Sequence, residues 1–428
     1  MADQGGSQHG IARTSRVRTE EQRQRDLERI AKYRELEDQV RAHIGRAEYT
    51  PEVFQLTSKL LRLNPEYYTI WNARRRCLIS GSFSRPSAGS SCSRASSSTS
   101  PSATTAPSST SSSSSSSAAT HPAPGSPTAG RSGTTADPAA TTATASNPAQ
   151  NEEPSAAEAQ DLSIIKSELT FTIPLLLESP KCYWIWSYRL WILQQAIARL
   201  RPALARRIWE EELGLASKML GKDRRNFHAW GYRRHVVQQL ESATLEGSSM
   251  VEAEFAYTDK MIFNTDLSNF SAWHSRSKLI PRLLDERGAD EAARRAFLDK
   301  ELSQIRNALN VGPEDQSLWY YHQFLILNIV EPEKHPSMTR GFTREDRVAY
   351  LRREIDEIKD LLEDYEDVKL SYEGLFEYTL YLCQLEERQP DETERADLAA
   401  WLGKLKQLDP MRNGRWADLE RDCRLKDQ

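Results

Sequence analysis

The segment DRRNFHAWGYRR, residues 223–234, sets three aromatic side chains among four arginines in barely three helical turns. Variants of it stand at 64–75 (NPEYYTIWNARR), 179–190 (SPKCYWIWSYRL) and 266–277 (DLSNFSAWHSRS), with a weaker fifth copy, PEDQSLWYYHQF, at 313–324. Aligned on Trp71, Trp186, Trp230, Trp273 and Trp319, the copies are 115, 44, 43 and 46 residues apart. A period in the forties marks stacked helical pairs, because one pair cannot bury its own apolar face and must lean on the next. The five tryptophans are therefore expected in the core between repeats.

The long first step has a compositional cause. From about Ser80 to Gln160 the chain is Ser, Thr, Ala, Pro and Gly, with a serine run from Ser111 to Ser117 and no aromatic between Phe83 and Phe171. Such a tract cannot offset the entropy of ordering, and it is read as a disordered insert. The expected organisation is a flexible arm at 1–17, a first helix and first repeat at 18–79, the insert at 80–160, and the remaining repeats at 161–428.

Thr19 with Gln22 reads as a capping box, followed by Leu27, Ile30, Tyr33, Leu36 and Val40 at helical spacing. Thr50 and Pro51 open a second helix carrying Val53, Leu56, Leu60 and Leu63 on one face. Seven residues before each tryptophan stands Asn64, Ser179, Asp223 or Asp266, each read as the N-cap of the second helix of its pair. The aromatics Tyr68, Tyr183, Phe227 and Phe270, three before the tryptophan, are expected to pack with it against the preceding helix. Strand signals are nearly absent. With a degenerate copy near Tyr372 and a terminal one around Trp416, the expectation is an all-α, right-handed superhelical solenoid, a crescent of about seven antiparallel hairpins.

Composition excludes several functions. A formal charge of −4 with interspersed signs is not that of a nucleic-acid binder. The cysteines at 77, 92, 182, 383 and 423 show no metal spacing and suit reduced thiols of a cytoplasmic chain. No apolar run of 18 residues and no signal-peptide core occur, so neither a membrane span nor secretion is expected. No self-contained catalytic motif is present. Arg74, Arg189, Arg233 and Arg276 follow the tryptophan at +3, with His322 in the fifth copy. That row either pairs with acids of neighbouring repeats or lines a surface for an anionic partner, and composition leaves both open.

The tandem pattern [NSD]-P-x-x-[YF]-x-x-W-x-x-R resembles the repeat of protein prenyltransferase alpha subunits, from Thr50 to Trp416 apart from the insert. The resemblance implies an obligate heterodimer with a beta subunit that holds a zinc ion and the lipid pocket, this chain binding no cofactor itself. It implies transfer of a prenyl group from its diphosphate to a protein cysteine. Lys181 and Tyr183 match the family's "PKxY" segment and are the implied catalytic contacts to the diphosphate. Asn226, Phe227 and His228 match its "NYH" segment, and with Arg189, Arg233 and Arg276 are candidates for the diphosphate vicinity or the beta-subunit interface. Phe227 lacks the tyrosine hydroxyl of farnesyltransferase-like members, which favours the Rab geranylgeranyltransferase branch, whose substrates are geranylgeranyl diphosphate and Rab GTPases presented by an escort protein. His9 and Gly10, followed by a charged helix, resemble that branch's start, and His9 is the candidate autoinhibitory zinc ligand, preceded here by eight residues where the branch's histidine directly follows the initiator methionine. Without leucine-rich repeats the chain is similar to the compact, fungal form. The alternatives are the alpha subunit shared by farnesyltransferase and type I geranylgeranyltransferase, and a non-enzymatic helical-repeat adaptor.

Overall fold

The computed structural model describes residues 19–84, 154–331, 333–334 and 338–423. The N-terminal arm with His9 and Gly10, and most of the expected insert, lie outside the described residues. Among the described residues all regular structure is helical. Helix α1 (Glu20–Gly45) is followed by seven hairpins: α2 (Pro51–Leu63) with α3 (Tyr68–Cys77), α4 (Ala156–Glu178) with α5 (Tyr183–Arg199), and α6 (Pro202–Lys222) with α7 (Phe227–Leu240). Next come α8 (Val251–Phe263) with α9 (Phe270–Glu286) and α10 (Glu291–Val311) with α11 (Gln316–Val330). The last two are α12 (Arg344–Asp364) with α13 (Lys369–Leu385) and α14 (Glu392–Leu408) with α15 (Asn413–Asp422). Second helices lie beside one another, α3 against α5 and α5 against α7, then α9 against α11 and α11 against α13. The expected solenoid of about seven hairpins is therefore what the chain folds into.

The capping box of Thr19 and Gln22 forms, and Thr50 with Pro51 opens α2. The stripe expected along α1 is buried only at Val40, while Leu27 and Ile30 are exposed. Helix α1 meets the first repeat through its second half, where Asn64 donates to the Tyr33 hydroxyl and Tyr67 donates to Glu37. Leu63, the last residue of α2, is exposed as well.

The second helices begin three residues before the tryptophan, so their N-caps stand four before it and not seven. Asn64 and Asp223 instead close the preceding helices α2 and α6, and their side-chain oxygens, like that of Asp266, accept the backbone N–H two residues on. The caps lie later in the turn, at Asn226, Asn269 and Asp315, each accepting from the first turn of its helix. Each tryptophan then reaches back into this turn. The indole Nε1 of Trp71, Trp186, Trp230, Trp273 and Trp319 donates to the carbonyl six residues earlier at 2.6–2.9 Å, and Trp416 does so seven residues back. Tyr372 makes the same link through its hydroxyl, to the carbonyl of Glu366, which identifies it as the tryptophan's counterpart in the sixth hairpin.

The rings join neighbouring repeats. Trp71 lies 4.6 Å from Tyr188, Trp186 5.0 Å from Tyr232 and Trp273 4.4 Å from Tyr321, centroid to centroid. All five repeat tryptophans are buried, as expected. Trp230→Phe keeps most of the apolar bulk but removes the indole donor from the Arg224 carbonyl, which then keeps only the Asn269 amide among the described residues; a loss of about 1 kcal/mol in urea unfolding is expected. Trp230→Ala adds a cavity and should cost about 3–5 kcal/mol.

The flanks narrow the expected 80–160 insert. A π-helical turn over Leu78–Ser82 leads into Phe83, which is buried beneath the Arg199 guanidinium at 4.2 Å. The chain is helical again from Ala156, and Gln160 donates to the Ser82 carbonyl at 2.7 Å.

Candidate functional site

The arginine row is internal. Arg74, Arg189, Arg233 and Arg276 are all at most 4% exposed. Each forks onto a carboxylate from the first helix of the next repeat: Arg74 onto Glu168, Arg189 onto Glu212, Arg233 onto Glu254 and Arg276 onto Glu301. A tyrosine from that repeat's second helix completes the joint, Tyr188 donating to Glu168, Tyr232 to Glu212 and Tyr321 to Glu301. Burial, then the neighbouring glutamate, pushes all three phenols well above their ordinary range, so each stays a donor. His322 takes the arginine's place in the fifth repeat, with Nε2 3.3 Å from Glu354 and Nδ1 2.9 Å from the Tyr378 hydroxyl.

Arg189, Arg233 and Arg276 are thus committed to carboxylates inside the stack and present no free surface for a diphosphate or a partner chain. Asn226 is also buried: its amide donates to the Pro180 carbonyl of the preceding turn and its oxygen caps α7. Asn269 repeats that link to the Arg224 carbonyl. These glutamates and Asn269 were missed in the sequence, although a glutamate stands 18 or 19 residues before each of Trp186, Trp230, Trp273 and Trp319.

The aromatics expected in the core are outside it. Tyr68, Tyr183, Phe227 and Phe270 are 48–69% exposed, because they occupy the first position of their helices, at the rim of the turn. They gather into a surface: Tyr68 stacks near Trp184 at 5.1 Å, Tyr183 lies 6.0 Å from His228, and Phe270 lies 6.1 Å from Tyr320.

Lys181 sits at this rim, in the turn before α5. Its side chain is 71% exposed and its ammonium is 3.6 Å from Asp223 in the next turn. His228 is half-buried close by; burial holds its imidazole below the ordinary value, with Glu66 pulling it up and Lys181 pushing it down. Lys181, Tyr183, Phe227 and His228 therefore share one corner, at the N-termini of α5 and α7. From it an open cleft of about 650 Å³ runs between α3, α5 and α7, walled by Trp186, Trp191, Phe227 and Tyr183, with Arg75, Arg234, His228 and His235 among its polar residues. A smaller aromatic groove of about 270 Å³, between α9 and α11, is lined by Phe270, Trp273, Tyr320, Tyr321 and Phe324.

Other reactive groups are inert. Burial pushes the Cys77 and Cys383 thiols up to about 11, so neither supplies a thiolate. Among the described residues no group of three or more His, Cys, Asp or Glu could hold a metal ion, and no helix is long and apolar enough to cross a membrane.

The corner thus offers an exposed ammonium, a phenol and an imidazole beside an aromatic cleft, on a scaffold of indole-locked hairpins. Five of those hairpins, at residues 51–80, 165–196, 209–240, 251–283 and 298–329, match the family described as "Protein prenyltransferase alpha subunit repeat". The chain belongs to the protein prenyltransferase alpha subunit family. The matched segments coincide with the first five hairpins, so the repeats read from the tryptophans are the family's repeats. Among similar proteins, the geranylgeranyl transferase type-2 subunit alpha of Candida albicans is 26% identical over 445 residues, covering 96% of this chain and 97% of that one. The protein of the same name from Schizosaccharomyces pombe is 35% identical over 218 residues, half of this chain and 61% of its own length. For the one from Rattus norvegicus the figures are 36% over 169 residues, 39% of this chain and 27% of that one. The chain thus spans nearly the whole Candida albicans relative but under two thirds of the other two. A solved structure titled "Candida albicans protein geranylgeranyltransferase-I complexed with GGPP" shares the fold, with a TM-score of 0.50 at 17% identity, covering 92% of this chain and 91% of that one.

Proposed function

We propose that this prenyltransferase alpha subunit is one half of a type-2 geranylgeranyltransferase, working with a beta subunit in the cytoplasm. In this reading it helps move a geranylgeranyl group from its diphosphate to C-terminal cysteines of Rab GTPases, which an escort protein presents. The observation that carries the reading is the end-to-end similarity to a Candida albicans protein of that name, joined by partial matches in another fungus and a mammal. The solved neighbour is a type-I enzyme, but at 17% identity it speaks for the fold and not for the substrate.

The chemistry suits the corner. The thiol sulfur bonds to the prenyl C1 carbon, the C1–O bond breaks, the thiol proton is lost, and negative charge grows on the departing diphosphate. The Lys181 ammonium, exposed at the rim, meets that charge, and Tyr183 donates a hydrogen bond from the same rim. His228, held neutral by burial, can supply one N–H. Phe227 offers no hydroxyl, so it shapes the site through its ring alone. Zinc belongs to the partner chain in this reading, where it would keep the acceptor thiol ionised.

The test is to co-express the full chain with the beta subunit of the same genome and assay the purified pair. Geranylgeranyl transfer to an escort-bound Rab with a double-cysteine end supports the proposal. Direct modification of a C-a-a-X peptide in its place would move the chain to the other branch, and a stable monomer that takes no beta subunit would favour an adaptor.

A further inference from the structure

Arg74 and Arg75 are neighbours on α3 with opposite fates. Arg74 is buried and forked onto Glu168. Arg75 is half-buried, yet among the described residues no carboxylate lies within ion-pair distance of it. Its partners are neutral: one donor reaches the Asn72 side chain at 3.0 Å, another the Ser187 carbonyl at 3.4 Å, and Nε has no acceptor. The guanidinium lies 5.7 Å from the Tyr188 ring centroid and 5.6 Å from that of Trp191, facing the cleft between α3, α5 and α7. Burial lowers its pKa, the mark of a cation short of compensation. Arg234 lines the same cleft, also with no carboxylate within ion-pair distance among the described residues, and none of the residues lining the cleft is acidic.

A cationic cleft attracts an anion, and the surroundings decide which kind. A free phosphate would answer the charge but leave the rest of the face wet. Tyr68, Tyr183, Phe227 and Phe270 remain exposed across four repeats, and a second aromatic groove lies beyond them. Only a protein surface covers both. We propose that an aspartate or glutamate of the beta subunit, carried among apolar residues, seats in this cleft against Arg75 and Arg234 as a buried anchor of the heterodimer. The inference rests on the chain being half of such a pair. An arginine already desolvated and flanked by rings gains its full attraction when the carboxylate arrives, and the aromatic walls then keep water off the pair.

The experiment measures the dissociation constant between the full chain and its beta subunit for wild type, Arg75→Gln, Arg75→Lys and Arg234→Gln, at low and high salt. Helix content is checked by circular dichroism, and Arg234→Gln, at an exposed position, keeps the test decisive should Arg75→Gln misfold. The expected result is at least about ten-fold weaker pairing for Arg75→Gln, mostly through faster dissociation, with a smaller loss for Arg75→Lys and for Arg234→Gln. Wild-type affinity in both glutamine variants overturns the proposal. So does Arg75-dependent binding of inorganic diphosphate to the free chain with unchanged pairing, which would assign the cleft to a small anion. If wild type itself takes up no beta subunit, the heterodimer reading falls before any variant is compared.

Discussion

Arg189→Met should destabilise the chain by about 3–5 kcal/mol, the loss typical of removing one member of a buried ion pair. Arg189 is 1% exposed and donates to the Leu169 carbonyl and the Thr172 hydroxyl as well as to Glu212. Without it Glu212, itself buried, keeps a charge with only the Tyr232 hydroxyl to solvate it. The sign reverses when the whole joint is removed. Arg189→Met, Glu212→Leu and Tyr232→Phe together leave no buried charge, and most of the lost stability should return. Urea unfolding by circular dichroism gives the magnitude, and hydrogen exchange across α4 to α7 shows whether the loss is local to that joint, as nearest-neighbour coupling in a solenoid requires. A single variant within 1 kcal/mol of wild type would mean that the joint tolerates a bare carboxylate.

Lys181→Ala is expected to lower kcat of the heterodimer by about 10²–10³, the range for losing one donor to charge that develops in the transition state. The fold should be untouched, because the side chain is 71% exposed and its ionic neighbour among the described residues, Asp223, is 3.6 Å away; the dissociation constant for the beta subunit, measured alongside, separates lost pairing from lost chemistry. Lys181→Arg keeps the charge but changes its geometry, and should recover part of the rate. Single-turnover transfer to a Rab substrate isolates the bond-making step from product release. An unchanged single-turnover rate in Lys181→Ala would remove this residue from the reaction and leave Tyr183 and His228 as the corner's remaining donors.

The repeat was legible in the sequence because one large ring recurs at a fixed step, and the ring is what each hairpin uses to lock its own turn and touch the next repeat. The helix starts were misplaced for a physical reason. Asn, Asp and Ser serve both as N-caps and as the first residue of a turn, and here Asn64 and Asp223 close one helix while a later Asn or Asp opens the next. The arginines could not be assigned from composition, since their carboxylates come from another helix, 94 residues away for Arg74. The exposed aromatics were misjudged because spacing shows which residues share a helix face, but not how far along the helix its neighbour extends. Lys181 and Tyr183 came from resemblance to a motif; that they meet His228 across two turns could be seen only once the hairpins were stacked.

The joints are not equal. At Glu254 the place of the donating tyrosine is taken by Ser275, whose buried hydroxyl has no partner among the described residues. Among the described residues Arg233 alone ties that carboxylate to its neighbour, where the preceding joints each use an arginine and a tyrosine. A row of springs yields at the softest one, so the stack should flex and begin to come apart between α7 and α9. The corner bearing Lys181 lies wholly on the stiffer side of that seam.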